Sequence, residues 1–159
     1  QAEDGIRDVE RSRGLGDVYK RQKKFKWYKI GDYNVKFIPV NHTIPTDGII
    51  IGCRGKYILY SGDTGPTDEI WIEANKLGNK LKAAFIETAF PDKLLTLARA
   101  SGHLVPQTLY KQLKKLKNKN MKIFVYHIKP EYIKEVTNDL KKIKGFKIIA
   151  TKEKAIYVI

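Results

Sequence analysis

Apolar residues follow two spacings along this chain, and the change from one to the other divides it. Lys23–Tyr28 and Tyr33–Val40 read as short strands separated by Gly31-Asp32. Gly48–Cys53 and Tyr57–Tyr60 are β-branched and aromatic runs joined at Arg54-Gly55-Lys56, a hairpin signal. After the loop Ser61–Pro66 the spacing predicts a helix from about Thr67 to Lys76, then a short buried strand over Ala83–Glu87. A helix over Asp92–Arg99 leads into the loop Ser101–Val105. Pro106, suited to a first helical position, starts the next helix. Leu109, Leu113 and Leu116 lie on one face of it, with lysines opposite. Lys122–Tyr126 is a further strand. The helix after Pro130 places Ile133, Val136, Leu140 and Ile143 on one stripe, and Lys147–Ile149 and Ala155–Val158 read as closing strands. Strands that pair locally and then alternate with helices predict an α/β class with a mixed sheet and flanking helices.

Residues 1–22 stand apart, with no apolar periodicity and charges that form no helix face. Asp17–Gln22 is also what GAT GTG TAT AAG AGA CAG encodes, the end of a transposon adapter used in sequencing libraries. The segment is therefore read as adapter-derived and disordered, and 23–159 as one domain-sized unit without linker or repeat. On that reading a start methionine, and any export signal, would lie upstream. Localisation stays open between cytoplasm and periplasm. No apolar run reaches the roughly 18 residues that a membrane span needs, so no membrane partner is expected.

Charge changes the picture less than its size suggests. The net charge is +14, and residues 1–22 carry five charges of each sign, which leaves 26 basic against 12 acidic side chains in the rest. Twenty-four of those 26 are lysine. Recognition of nucleic acid favours arginine for its bidentate contacts, so the composition disfavours a nucleic-acid partner, although a basic surface attracts any phosphate-bearing substrate. The lone Cys53 has no internal disulfide partner and reads as a small buried hydrophobe.

The candidate chemistry lies at the ends of these strands. His42 follows Phe37–Asn41, Asp63 follows Tyr57–Gly62, His127 follows Ile123–Tyr126, and His103 lies in a loop ahead of a proline-started helix. Ligands in layered α/β folds collect outside the carboxyl ends of strands. Imidazole and carboxylate suit zinc, manganese or iron(II). One carboxylate can bridge two metals about 3.5–4 Å apart. Asp63 in Ser-Gly-Asp-Thr-Gly suits that role, with Thr64 placed to hydrogen-bond it.

Four segments in this order carry a resemblance: Tyr60-Ser61-Gly62-Asp63-Thr64-Gly65-Pro66, Phe85-Ile86-Glu87-Thr88-Ala89-Phe90-Pro91, Ser101-Gly102-His103-Leu104-Val105-Pro106 and His127-Ile128-Lys129-Pro130. Together they resemble the C-terminal motifs of class II 3′,5′-cyclic-nucleotide phosphodiesterases of the metallo-β-lactamase superfamily. The resemblance runs from Val40 to about Leu140. It implies the C-terminal half of an αββα sandwich, two divalent metals (zinc first, manganese or iron also suited), and ligation by His42, Asp63 and His127. In the related tRNA 3′-processing nucleases an acid in Glu-Ala-Thr-Phe orients a non-ligating histidine. Glu87-Thr88-Ala89-Phe90 and His103 look like that pair, which implies that His103 donates a proton to the leaving oxygen while Glu87 holds it.

Two features depart from the family. Val105 stands where threonine is usual. The His-x-His-x-Asp-His segment, which would supply most remaining ligands, is not in the chain. The resemblance thus implies a fragment of an enzyme acting on cAMP or cGMP, inactive alone, with a homo-oligomer admitted. The alternatives are an RNA-processing phosphodiesterase of the same superfamily and a non-catalytic basic binding module.

Overall fold

The computed structural model describes residues 23–159; the 1–22 reading lies outside them. Seven strands form one sheet in sequence order: β1 (Trp27–Ile30), β2 (Tyr33–Val40), β3 (Thr46–Cys53), β4 (Lys56–Tyr60), β5 (Leu81–Glu87), β6 (Lys122–Tyr126) and β7 (Lys147–Ala150). The first four pair antiparallel through short turns. From β4 onward each pairing is parallel. Parallel neighbours need long crossovers, and helices fill them. They are α1 (Glu69–Leu77), α2 (Leu95–Ser101), α3 (Pro106–Leu113) and α4 (Ile133–Lys141). This is the mixed α/β sheet expected from the change of spacing.

Strand register decides which side chains meet the helices. Ile38, Ile50, Leu59, Ala84, Ile86, Ile123 and Val125 pack in one cluster with Ile70, Trp71 and Ala74 of α1, Leu109 and Leu113 of α3, and Val136 and Leu140 of α4. The α1, α3 and α4 helices therefore cover a single face. A smaller cluster of Ala89, Phe90, Ala98 and Val105 closes the carboxyl end of the parallel strands. Val105 is fully buried there. Its amide donates to the Thr108 hydroxyl (2.9 Å), a backbone contact that does not depend on the side chain at this position.

The opposite face carries Phe37, Ile49, Ile51, Ile58 and Phe85 at half-buried positions and Tyr60 exposed. No second sheet lies over it among the described residues. Residues 155–158, expected as a strand, join no ladder. They turn back at Lys154, which has positive φ, and place Tyr157 against Phe124 with ring centroids 4.8 Å apart. The first strand also starts later than expected, at Trp27, because Phe25 adopts φ +63° in a turn. Asp92–Leu94 is a 3-10 turn, with the α-helix following from Leu95.

Candidate active site

Five loops meet at the carboxyl end of the parallel strands, and backbone hydrogen bonds tie them into a pair and a group of three. Gly65 N–H donates to Asn41 O (2.7 Å), joining the Asp63 and His42 loops. Ala89 N–H donates to Leu104 O, and Lys129 N–H donates to Ala89 O (both 3.1 Å), joining the Glu87, His103 and His127 loops. Gly62 is required by its setting: φ is +65°, and an added Cβ would lie 2.7 Å from Asp47 O. Ser61 is fully buried, and its hydroxyl accepts Glu87 N–H (3.0 Å) and donates to Gly62 O (2.7 Å). Sequence reading gives Asn41 no role and places Ser61 in the Asp63 motif without its hydrogen bond to the Glu87 amide, because such contacts carry no periodic signal.

Glu87 is fully buried, and its Oε1 accepts from Thr64 N–H (3.2 Å), Leu104 N–H (3.0 Å) and His103 Nδ1 (3.2 Å). Its Oε2 is buried with no hydrogen-bond partner. Burial raises the Glu87 carboxyl above its usual range, against the pull of these donors. The hydrogen bond that His103 donates to Glu87 in turn raises His103, against the imidazole's own burial. The geometry thus brings together the acid and histidine that the sequence pairs. Phe90 packs edge-on to that ring at 5.9 Å.

Asp63 and His127 also meet, with Oδ1 and Nδ1 3.4 Å apart. His127 has φ +64°, uncommon for a residue with a side chain, and such strain concentrates at functional sites. The rings of His42 and His127 lie 5.0 and 5.2 Å from His103. His42 Nδ1 is 2.9 Å from Gly102 O. The Thr64 hydroxyl donates to Gly65 O (2.8 Å) and Asn41 O (3.4 Å), and the residue's amide goes to Glu87. Its role is to brace the loops, whereas a bond to the Asp63 carboxylate was expected.

Among the described residues no three His, Cys, Asp or Glu side chains gather closely enough to hold a metal ion. His42, Asp63 and His127 are donors of the right chemistry, but as they stand they do not fit a complete metal site.

No protein-family model matches the chain, and no curated protein does. Solved structures do match. The metallo-β-lactamase-fold protein YhfI from Bacillus subtilis aligns over 82% of this chain and 52% of its own, at 11% identity and TM-score 0.69. The short form of human tRNase Z aligns over 65% and 39%, at 21% identity and TM-score 0.54. Zn2+-bound PqqB from Methylobacterium extorquens aligns over 81% and 49%, at 15% identity and TM-score 0.52. The chain has the metallo-β-lactamase fold. It spans about half the length of YhfI and less than half of tRNase Z, and the likeness to these structures is one of fold. Within that fold, the described residues form one sheet with its helices, and the candidate site sits at the carboxyl edge of the sheet. No described helix is long and apolar enough to cross a membrane.

Proposed function

We propose that the chain is part of a metal-dependent phosphodiesterase that hydrolyses 3′,5′-cyclic nucleotides to 5′-monophosphates. The observation that carries this reading is the His103–Glu87 pair. A buried carboxylate holds one imidazole nitrogen, beside two further histidines and an aspartate at a strand end. An imidazole held in its proton-bearing form can deliver that proton to a departing 3′ oxygen. The Glu87 carboxylate balances the resulting charge without having to reorganise. His42, Asp63 and His127 would be this chain's ligands. Their incomplete gathering agrees with a site that needs the absent His-x-His-x-Asp-His segment. The cyclic-nucleotide assignment rests on the Gly-His-Leu-x-Pro and His-Ile-Lys-Pro segments.

A second reading, RNA 3′-end processing, draws on the likeness to tRNase Z, whose Glu-Ala-Thr-Phe segment Glu87–Phe90 resembles. One assay decides between them. The whole protein, with a His-x-His-x-Asp-His segment supplied, should convert cAMP or cGMP to the 5′-monophosphate with zinc or manganese, and this chain alone should not. Cleavage of a tRNA precursor trailer with no cyclic-nucleotide turnover would select the second reading. Salt-sensitive RNA binding with no hydrolysis and no metal dependence would mean a binding module.

A further inference from the structure

Gly102 directly precedes His103, yet the side chain that a Cβ on it would meet belongs to a different loop.

 It ends α2 in the left-handed region, φ +72°, and His103 N–H closes the turn on Ala98 O (2.8 Å). That much is an ordinary helix end. The second observation is different: the Gly102 carbonyl oxygen lies 2.9 Å from His42 Nδ1, across 60 residues of chain. A Cβ added at Gly102 would come within 2.8 Å of that same nitrogen, 3.0 Å of Thr43 N and 3.2 Å of His42 Cα. Two of those three atoms are backbone, so the His42 loop itself would have to move.

A carbonyl oxygen only accepts, so the imidazole nitrogen facing it must carry the proton. The tautomer of a neutral histidine is set by the hydrogen bond its other nitrogen makes. We propose that Gly102 is a positioning residue for His42: its carbonyl fixes the Nδ1–H tautomer and leaves Nε2 unprotonated, free to accept a hydrogen bond or a ligand. The missing Cβ is what lets the two loops come this close. Consecutive residues then serve the two halves of the site, Gly102 through His42 and His103 through Glu87. The inference does not depend on the reading of His42 as a ligand.

The test is nitrogen-15 NMR of the histidine side chains in the full chain without metal. There are three histidines, and a His42→Gln variant assigns the signal. In the unsubstituted chain His42 should show a protonated Nδ1 and an unprotonated Nε2 at a pH where the ring is neutral. Gly102→Asn tolerates positive φ but adds the Cβ, and it should move His42 toward the Nε2–H form that free histidine favours. Gly102→Ala should do the same with a larger loss of stability. The His103 signal, held by Glu87, serves as the internal check that the fold persists. Finding Nε2–H at His42 in the unsubstituted chain overturns the inference, and that measurement needs no variant to fold. An unchanged Nδ1–H form in a folded Gly102→Asn chain overturns it too.

Discussion

Glu87 concentrates three hydrogen bonds on one oxygen and leaves the other buried without a partner. Glu87→Gln can keep an oxygen toward Thr64 and Leu104, but its amide nitrogen then occupies the partnerless position. A buried unpaired donor costs about 1–3 kcal/mol, so thermal unfolding of this variant should begin at a lower temperature. If the proposed function holds, His103→Ala in the whole protein should lower the catalytic rate by roughly 10²–10⁴ without loss of metal. Glu87→Gln should cost less, because the imidazole remains. Asp63→Ala should lose metal and activity together. Metal analysis of the purified variants separates these roles: loss of metal from His103→Ala would make His103 a ligand. At this scale the sequence pairs Glu87 with His103, and the two side chains do meet. It did not show that Thr64 braces Glu87 through its amide, or that Gly102 meets His42. Both contacts run through backbone atoms, which every residue possesses and no motif spells out.

Between elements, the strongest polar link joins β2 to α1. Glu73 on the helix is buried and takes Lys36 from the strand at 2.7 Å and Lys76 from its own next turn at 2.5 Å. Burial works to raise the Glu73 carboxyl, but the hydrogen bonds from Lys36 and then Lys76 outweigh it and hold the group below its usual range. A depressed folded-state value means that the link contributes stability above the unfolded value, about 4.3 for a glutamate, and that this is lost as pH falls through the folded value. Chemical denaturation across pH 7 to 3 should show this as a difference. Glu73→Gln should be less stable than the unsubstituted chain at pH 7 and should converge with it on acidification. A gap that persists at pH 3 would count against the ion pair as its source. Glu73→Ala strands Lys36 and should cost about 2–4 kcal/mol at neutral pH, the lower side of the range for breaking a buried pair, because Lys36 can reach toward solvent. The elements themselves were largely legible: β2 to β6 and the three helices on the covered face follow from residue type and spacing. Ala155–Val158 misled, since an apolar-rich extended segment looks the same whether it pairs at an edge or folds back against a sheet face.

Over the whole molecule, the two faces of the sheet are unequal. One is sealed by three helices; the other shows Phe37, Ile49, Ile51, Ile58 and Phe85 half-buried, with only the C-terminal segment folded against part of it among the described residues. Ile159 reaches a shallow groove of about 260 Å³ that Ile51, Cys53 and Ile58 also line. Tyr157 packs on Phe124, which is almost fully buried. A contiguous apolar face of this kind binds hydrophobic dyes and promotes association in water. The purified chain should therefore take up such a dye while its helices and sheet remain intact by circular dichroism. It should also sediment more heavily as its concentration rises. Ending the chain after Lys154 should increase dye uptake, because Phe124 and the groove lose their cover. Each Å² of apolar surface returned to water costs about 25 cal/mol, so the same truncation should lower the unfolding temperature. Ile58→Glu, by contrast, places a charge in the middle of the open face and should reduce both dye uptake and association. Its cost in stability should be small, since that side chain is turned away from the helix-packed core. A chain that stays monomeric at every concentration and binds no dye, with or without its last five residues, would mean that this face is not open to solvent.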